Sequence, residues 1–358
     1  MPPLDPDRPV YPYVPGFVVQ ITEHKPPPPF GQSFADTGYP RSARRRLSAT
    51  WLDETPLTRQ VIENPPLTTV WSSTIPSRIA TLKITKIISK GDSSSNGKQG
   101  AHVVVCQIFM NGQQEPYIAV AKIYDALYYS GVTDVVKLAD QDYSCEAAAY
   151  EHLETVKHMQ KPGFAPNYYG SWTFEQPLIL QGKRHLRPVR MILIEYLAGS
   201  TILDLFTMKD SRHEQPNPNA HHYDEAFRLN VVAEVIEGTV KQRHSGLSQK
   251  DGALRNIMLV PSPRGNTSPQ SLPRVVLIDY NVAVVVSLLE KPLPTPSSNL
   301  PFNPVDAFRN GKDDFYGWGP VAWYDGIQGK ERYQEWLLQR FGCDTSHFAS
   351  IRKKTVLS

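Results

Sequence analysis

The stretch SGLSQKDGALRNIMLV sets an aspartate and an asparagine five positions apart in a mainly apolar frame. These residues are Asp251 and Asn256, and a further carboxylate, Asp279, ends the apolar run RVVLID downstream. Phosphoryl transfer from a nucleotide needs such groups, because Mg²⁺ prefers hard oxygen ligands and the accepting hydroxyl needs a nearby carboxylate. The spacing alone is common, so this hypothesis depends on what the rest of the chain supplies.

A cation that grips the phosphates is the next requirement, and Lys122 in the apolar run VAKIYD is the candidate. A lysine in such a strand is costly to bury unless a carboxylate pairs with it. Glu146, in the helix-forming stretch that follows, is the expected counter-ion, and Glu151 is its rival. The alternatives are an edge-strand lysine that reaches solvent and an ordinary exposed glutamate on the helix.

These residues must be positioned by secondary-structure elements, and the sequence predicts mostly strands first and mostly helices after them. The strand candidates, each rich in β-branched and apolar residues, are RIATLKITKIIS, AHVVVCQIFM, PYIAVAKIYD, APNYYGSWTFE and VRMILIEYL. One helix, DQDYSCEAAAYEHLETVKHM, lies among them, and helical spacing dominates after Gly199. This order predicts an α+β fold with a mostly antiparallel five-stranded sheet and a cleft between the β-rich and the helical half.

The first 75 residues differ in composition, since proline crowds segments such as HKPPPPFG. We expect residues 1–75 to be a mostly disordered or loosely docked arm, and such an arm is a candidate for binding partners that recognise proline motifs. Its basic cluster, RSARRRLSATW, is interpreted as a solvated loop, with a phosphorylation site at Ser48 or a weak nuclear signal as the alternative. The predicted folded region is then 76–345, followed by a tail, 346–358.

Bulk properties exclude several classes of protein. The chain has 358 residues, 40% of them apolar and 20% charged, which is enough for a real core. Its net charge of +3 is too small to indicate a nucleic-acid or acidic-membrane partner. The three cysteines have no paired spacing, so a disulfide framework or a zinc site is not expected. Without a signal-like start or a long apolar run, we expect a cytoplasmic or nuclear protein.

The opening stretch resembles the catalytic loop of the eukaryotic protein kinase superfamily, in particular its divergent, fungal-type kinase-like branch. QKDGALRNIML is similar to that loop, LIDYN to the DFG segment, and DDFYGWGPVAWYD to the helix that braces the loop, with Asp314, Gly319 and Trp323 at matching places. The resemblance runs from about residue 81 to residue 325. It implies a bilobal kinase-like fold with a five-stranded antiparallel N-lobe, 76–197, and a shortened helical C-lobe, 198–345.

The resemblance also implies roles for single residues, with ATP and Mg²⁺ as cofactors. Asp251 would accept the proton of the substrate hydroxyl, while Asn256 and Asp279 would hold the metal. Lys122, fixed by Glu146, would grip the phosphates. The main chain from Glu195 to Leu197 is expected to bind the adenine ring.

Several positions depart from the kinase pattern. The glycines that would cover the phosphates, Gly91, Gly97 and Gly100, lack the compact G-x-G-x-x-G spacing. Gln249 replaces a histidine, and Asn281 replaces the glycine that follows the DFG-like aspartate. LPFNPVDAFRNG stands where an APE motif is usual. Arg255 is interpreted either as a phosphate or substrate contact or, equally, as a loop salt bridge.

Three functions therefore stand as hypotheses. The first is an ATP- and magnesium-dependent phosphotransferase that acts on a hydroxyl acceptor, most simply a protein serine or threonine. The second is a catalytically weak pseudokinase that serves as a scaffold, which the altered glycine loop and the short C-terminal half favour. The third is a small-molecule kinase, which would share the aspartate–asparagine loop.

Overall fold

The structure, a computed structural model, divides the chain into two compact units that are described separately. One unit consists of Met1–Glu151, Asn167–Tyr196 and Leu288–Glu290, and the other of His152–Pro166, Leu197–Ser287 and Lys291–Ser358. The residues that the structure describes are 4–31, 34, 47–67, 77–91, 100–112, 114–129, 134–157, 161–207, 218–289 and 299–352.

A closed barrel of six antiparallel strands forms the centre of the first unit, in the order β1–β2–β3–β4–β6–β5. The strands are β1 (Val18–Glu23), β2 (Ile79–Ser89), β3 (His102–Met110), β4 (Tyr117–Tyr124), β5 (Tyr168–Leu180) and β6 (Lys183–Glu195). Successive side chains of a strand point to opposite faces, and in β2 the buried residues accordingly alternate as Ala80, Leu82 and Ile84. The barrel interior is thus the core of this unit.

The prediction of a bilobal kinase-like fold with a five-stranded N-lobe sheet and a helical C-lobe is wrong, because the sheet is a closed six-stranded barrel. The sixth strand is β1, which pairs with β2 from Val18 to Thr22 and with β5 through Thr22 and Glu23. It arises within the proline-rich stretch interpreted as a disordered arm. A six-residue strand between prolines carries a weak local signal, and its stability comes from the partner strand on each side.

Buried polar contacts hold the chain before β1 onto the barrel. The Tyr13 hydroxyl, fully buried, donates to the Asp125 carboxylate, and Arg187 Nη2 donates to the same carboxylate over 2.8 Å. Burial, together with the Asp125 charge, raises the pKa of Tyr13 well above its usual value. Nearer the N-terminus, Asp5 accepts a partly buried bond of 2.8 Å from the N–H of Thr58, which lies outside the barrel. These contacts order a segment whose composition alone favours extended, unpacked chain.

Three α-helices accompany the barrel in the described part of the first unit: α1 (Ala49–Glu54), α2 (Leu57–Glu63) and α3 (Val135–Thr155), which belongs to this unit as far as Glu151. The Ser48 side chain begins α1 by accepting from the Trp51 N–H over 3.1 Å, which is the usual role of serine at a helix N-cap. α3 is the long helix that the sequence predicts, and it carries Glu146.

The second unit combines helices with two small sheets. Its helices are α4 (Glu225–His244), α5 (Pro304–Ala307) and α6 (Gly326–Phe341), and its strands are β7 (Ser200–Thr201), β8 (Leu247–Ser248), β9 (Ile257–Val260), β10 (Arg274–Leu277) and β11 (Val284–Val285). One sheet has the order β10–β9–β7, and the other pairs β11 with β8. Antiparallel pairing sets Ile257 opposite Leu277, so the start of β9 and the end of β10 lie at the same edge.

Within the described ranges, the helices of both units are too short or too polar to span a bilayer.

Barrel closure by β1 predicts different outcomes for two truncations in the same strand. Ile21→Ala removes a fully buried side chain and should lower the free energy of unfolding by about 2–5 kcal/mol. Val18→Ala, at a position that is 55% exposed, should change it by less than about 0.5 kcal/mol. Urea unfolding of both variants measures the difference, and equal small effects would mean that this segment does not close the barrel.

We expect the protein to lose stability in mild acid because of His24, the histidine that follows β1. His24 Nδ1 lies 2.6 Å from the Tyr143 hydroxyl, and burial, aided by Arg190, lowers the pKa of His24 to about 3. As the pH falls below about 6.5, the unfolded chain binds a proton at this histidine while the folded chain does not. The free energy of unfolding should therefore drop by about 1 kcal/mol between pH 7 and pH 5.5 through His24.

The measurement is urea unfolding of wild type, His24→Gln and the exposed-site control His347→Gln at both pH values. His24→Gln should be less sensitive to pH than wild type, and His347→Gln should follow wild type. An unchanged pH slope in His24→Gln would contradict the neutral, buried state of this ring.

Candidate functional site

The first predicted cluster is a buried ion pair inside the barrel unit. Lys122 Nζ, on β4, lies 2.7 Å from Glu146 Oε1 and 2.5 Å from Glu146 Oε2 on α3. The two side chains are 9% and 0% exposed. Glu146, rather than the rival Glu151, is therefore the carboxylate that contacts the lysine.

A tyrosine completes this cluster. The Tyr124 hydroxyl, two residues further along β4, donates to Glu146 Oε2 over 2.5 Å, so the buried carboxylate is bonded by both neighbours. Burial and then the Glu146 charge raise the pKa of Tyr124 well above its usual value, and the phenol stays a hydrogen-bond donor. Burying a charge is costly in free energy, and the bonds to Glu146 offset that cost. They also hold the Lys122 ammonium group in a fixed position.

The second predicted cluster lies in the other unit, in the loop between β8 and β9. Asn256 is buried, and its Nδ2 donates to the main-chain carbonyl of Asp251 over 3.1 Å. The five-residue spacing therefore closes a turn in which the asparagine amide holds the backbone of the aspartate. Because Nδ2 is the donor, the Asn256 Oδ1 atom faces away from that bond and can serve as an oxygen ligand.

Gln249 connects this loop to the segment after β10. Its Nε2 donates to the Asp279 carbonyl over 2.7 Å, and its Oε1 accepts from the Lys250 N–H over 2.9 Å. The Ile278 N–H donates to the Asn256 carbonyl over 2.8 Å, which continues the β9–β10 pairing by one residue. The structure thus brings Asn256 and Asp279 to one edge of the small sheet, with glutamine in the place where kinases usually carry histidine.

The backbone at Asp279 is strained. Its φ angle is +65°, in the left-handed region that non-glycine residues rarely adopt. The buried Tyr280 anchors the next position, since its hydroxyl accepts from Gln242 Nε2 of α4 over 2.7 Å. Asn281, which stands in place of the usual glycine, does not have a positive φ. The strain therefore falls on the carboxylate-bearing residue, as is common at functional sites.

The oxygens at this edge fit a magnesium ion by chemistry. Asn256 supplies an amide oxygen and Asp279 a carboxylate, and Mg²⁺ commonly takes one or two protein ligands and completes its shell with phosphate and water. Across the described ranges, no cluster of three or more His, Cys, Asp or Glu side chains is arranged to hold a metal. With two protein oxygens at this edge, a magnesium site would complete its ligand shell with phosphate and water.

The predicted proton acceptor is already paired. Arg255 Nη2 forms a short contact with Asp251 Oδ2, with side chains that are 58% and 30% exposed. This is the loop salt bridge that the sequence left open as one reading of Arg255. The other carboxylate oxygen, Oδ1, accepts a long bond of 3.4 Å from the Ala253 N–H. The aspartate is held in place but remains partly open to solvent.

The predicted nucleotide-covering glycines are described in part. The Gly100 N–H donates to the Gly91 carbonyl over 3.0 Å, which closes the base of the loop, and Gly91 has a φ of +80°. Gly97 lies outside the described residues. For the predicted adenine contact, the Glu195 N–H already donates to the Asn167 carbonyl over 2.9 Å. The Leu197 carbonyl likewise accepts from the Gly199 N–H over 2.9 Å.

The segment likened to the bracing helix is not an α-helix. It forms two 3₁₀ turns, Gly311–Phe315 and Val321–Tyr324, with a glycine-rich break between them. Asp314 interacts electrostatically with Arg243 in the last turn of α4, and burial, followed by the Asp313 charge, raises its pKa. Gly319 packs so closely on Trp323 that an added Cβ would lie 2.8 Å from the indole. Asp314 therefore lies beside the helix that leads into the catalytic-type loop.

Sequence reasoning missed two polar residues in these clusters, Tyr124 and Gln242. Both carry a weak signal: Tyr124 follows Lys122 on the same face of β4, and Gln242 lies in the last turn of a mostly apolar helix face. Neither type nor spacing distinguishes them from ordinary strand and helix residues. Their partners are distant in sequence, so the contacts emerge only in the folded chain.

Comparisons with known proteins add no assignment, because no protein-family model matches the chain and the search of curated proteins found no significant match.

The buried pair predicts a large, specific cost for removing the lysine. Lys122→Met leaves the Glu146 carboxylate buried with the tyrosine bond but without the ammonium group, so the free energy of unfolding should fall by about 3–5 kcal/mol. Lys83→Met, at an exposed lysine on β2, is the matched control and should be nearly neutral. A second change, Glu146→Leu, should recover part of the loss in Lys122→Met, since it removes the buried charge. No recovery in the double variant would contradict the charge-burial explanation.

Proposed function

We propose that the chain is an ATP- and magnesium-dependent phosphotransferase that acts on a hydroxyl acceptor. The single observation that carries the proposal is the loop geometry of the second unit, where Gln249 and the β9–β10 pair hold Asn256 and Asp279 at one edge. This rests on local chemistry and not on the bilobal fold, which the barrel excludes. The resemblance to the protein kinase superfamily supports the same chemistry.

Each residue has a defined task in the proposed reaction. The hydroxyl oxygen of the acceptor attacks the γ-phosphorus, the bond from that phosphorus to the ADP oxygen breaks, and the proton passes to the Asp251 carboxylate. Bound Mg²⁺ supplies charge neutralisation of the phosphate oxygens. Asn256 and Asp279 present the oxygens that hold it, and the role of Lys122 as the cation that binds the phosphates stays a prediction from the sequence.

The chemical benefit of this loop is pre-organisation. Asp251 is fixed through its own carbonyl by Asn256 and through its carboxylate by Arg255. Catalysis of phosphoryl transfer depends mainly on such positioning and on charge stabilisation, because little covalent chemistry falls to the protein. A protein serine or threonine is the simplest acceptor, and a small-molecule hydroxyl is the alternative.

A specific observation favours a second candidate, a nucleotide-binding protein with weak or no transfer. The Arg255 guanidinium occupies one oxygen of the Asp251 carboxylate, and this contact competes with an incoming hydroxyl. In that case the chain would bind ATP and Mg²⁺ and act as a scaffold. Magnesium-dependent ATP binding without phosphate transfer to any acceptor would select this candidate.

Asp279→Asn tests the proposal without disturbing the backbone. Asparagine has nearly the same size and tolerates left-handed φ, so the fold should survive, whereas the charge that holds the metal is lost. The variant should lose magnesium-dependent ATP binding in calorimetry. Transfer from labelled ATP to a pool of peptides and metabolites should fall by about a hundredfold or more.

The control is Asp325→Asn, at an exposed aspartate of the same unit, which should behave as wild type. Circular dichroism and thermal unfolding of both variants establish that they are folded. Wild-type ATP binding that ignores Mg²⁺, or that survives unchanged in Asp279→Asn, would overturn the assignment of the metal ligands.

A further inference from the structure

An open pocket of about 510 Å³ lies in the barrel unit, and its volume is in the range typical of small-molecule sites. Its walls contain charged residues from the end of β1 and from α3, together with three tyrosines. None of its residues belongs to the clusters described above. The pocket is therefore lined by residues other than those of the proposed phosphoryl transfer.

A β-bulge builds one wall of the pocket. Tyr168 pairs with Ile194 of β6, but the next partner, Leu193, pairs with Gly170, so Tyr169 is an extra residue. Consecutive strand residues normally face opposite sides, whereas the bulge lets Tyr168 and Tyr169 both line the pocket. Bulges of this kind commonly redirect side chains at functional sites.

The glycine in the bulge makes room for a cation. Gly170 has a φ of +104°, and a Cβ there would lie 3.3 Å from Arg78 Nη2. Arg78 donates through Nε and Nη2 to Glu23 Oε1 over 3.0 and 2.6 Å, and its guanidinium stands 5.3 Å from the Trp172 ring centre. Its remaining nitrogen, Nη1, makes no hydrogen bond to any residue that the structure describes. One edge of a fixed guanidinium thus stays available to an acceptor.

The tyrosine rings are themselves held in place. Tyr168 stacks on Tyr150, with ring centres 5.5 Å apart and planes 10° apart, and its hydroxyl lies 2.7 Å from Ser171 Oγ. Tyr117 and Tyr169 meet edge to face, with ring centres 5.4 Å apart. Rigid aromatic walls favour a ligand with a flat apolar ring, because stacking then costs little conformational entropy.

The charges of the pocket balance. Glu23 pairs with Arg78. Burial raises the pKa of Glu151, and the smaller effect of the Lys25 charge lowers it. His24 carries no charge at neutral pH, since its pKa is about 3. Two carboxylates and two cations therefore favour a ligand that carries one charge of each sign over a net anion or cation.

We propose that this pocket binds a free aromatic amino acid in its zwitterionic form. The ring packs on the Tyr169 and Tyr117 walls, the ligand carboxylate accepts from Arg78 Nη1, and the ligand ammonium faces the Glu151 carboxylate. Each of the three ligand groups thus has a counterpart of matching chemistry.

Calorimetric titration of the full chain with four compounds tests each counterpart separately. L-phenylalanine has all three groups, whereas 3-phenylpropionate lacks the ammonium, phenethylamine lacks the carboxylate and L-alanine lacks the ring. L-phenylalanine should bind with saturation. The affinity of each of the other three compounds should be lower by a factor of about ten or more.

A matched pair of variants on α3 locates the ammonium contact. Glu151→Gln should weaken L-phenylalanine binding about tenfold. It should not weaken binding of 3-phenylpropionate, because that anion has no ammonium group and loses only a repulsive charge. Glu154→Gln, an exposed glutamate on the same helix that contacts Lys157 over 3.4 Å, should bind both as wild type does. Unfolding midpoints establish that both variants are folded.

Three results would overturn the proposal: no saturable binding of L-phenylalanine, equal binding of L-alanine, or L-phenylalanine binding that Glu151→Gln leaves unchanged. None of them bears on magnesium-dependent ATP binding, so this proposal and the proposed function fail separately.

Discussion

The antiparallel pairing of β9 with β10 is the constraint on which the candidate site depends. With Ile257 opposite Leu277, the residue before β9 and the residues after β10 must lie side by side. Asn256 and Asp279 are those residues, and the Ile278 N–H bond to the Asn256 carbonyl extends the pairing to them. A shift of the β9–β10 register by one residue would turn these side chains to the other face of the sheet, and they would no longer lie together.

Other contacts of the second unit hold the two ends of this pair. The Gln242 bond to Tyr280 ties the strained turn at Asp279 to α4, while Gln249 bridges the loop to the same turn. Strained backbone persists only where its surroundings determine it, and here helix, loop and sheet each contribute one bond. The energetic cost at Asp279 is consistent with a role that requires its carboxylate in one place.

Charge burial organises the barrel unit in a similar way. Lys122 with Glu146 and Arg187 with Asp125 are both nearly excluded from solvent, and each pair has a tyrosine hydroxyl bonded to its carboxylate. Such pairs contribute little net stability against apolar replacements, but losing one partner is costly, so they fix the geometry of the elements they join. One joins α3 to β4, and the other joins β6 to the residue after β4, where the Tyr13 hydroxyl attaches the chain before β1.

The sequence predicted features that depend on local pattern. The barrel strands after residue 77 alternate or carry apolar runs, α3 is rich in helix formers, and Lys122 on an apolar strand required a carboxylate. Local sequence pattern could not predict β1, because this six-residue strand between prolines is stabilised by pairing with β2 and β5 and not by its own composition. The prediction of a bracing helix is also wrong, because Gly317 has a φ of +80°, which an α-helix does not allow, and Gly319 packs against Trp323. The pocket depends on a bulge at Tyr169, and bulges leave no regular pattern in a sequence.

Crystallography with a bound metal ion tests the proposed magnesium site most directly. Crystals grown with Mn²⁺ and a non-hydrolysable ATP analogue would locate the ion through its anomalous signal. We expect a peak about 2.1–2.2 Å from Asn256 Oδ1 and from a carboxylate oxygen of Asp279, in contact with the phosphates. Bound nucleotide with the manganese peak away from both residues would contradict the claim.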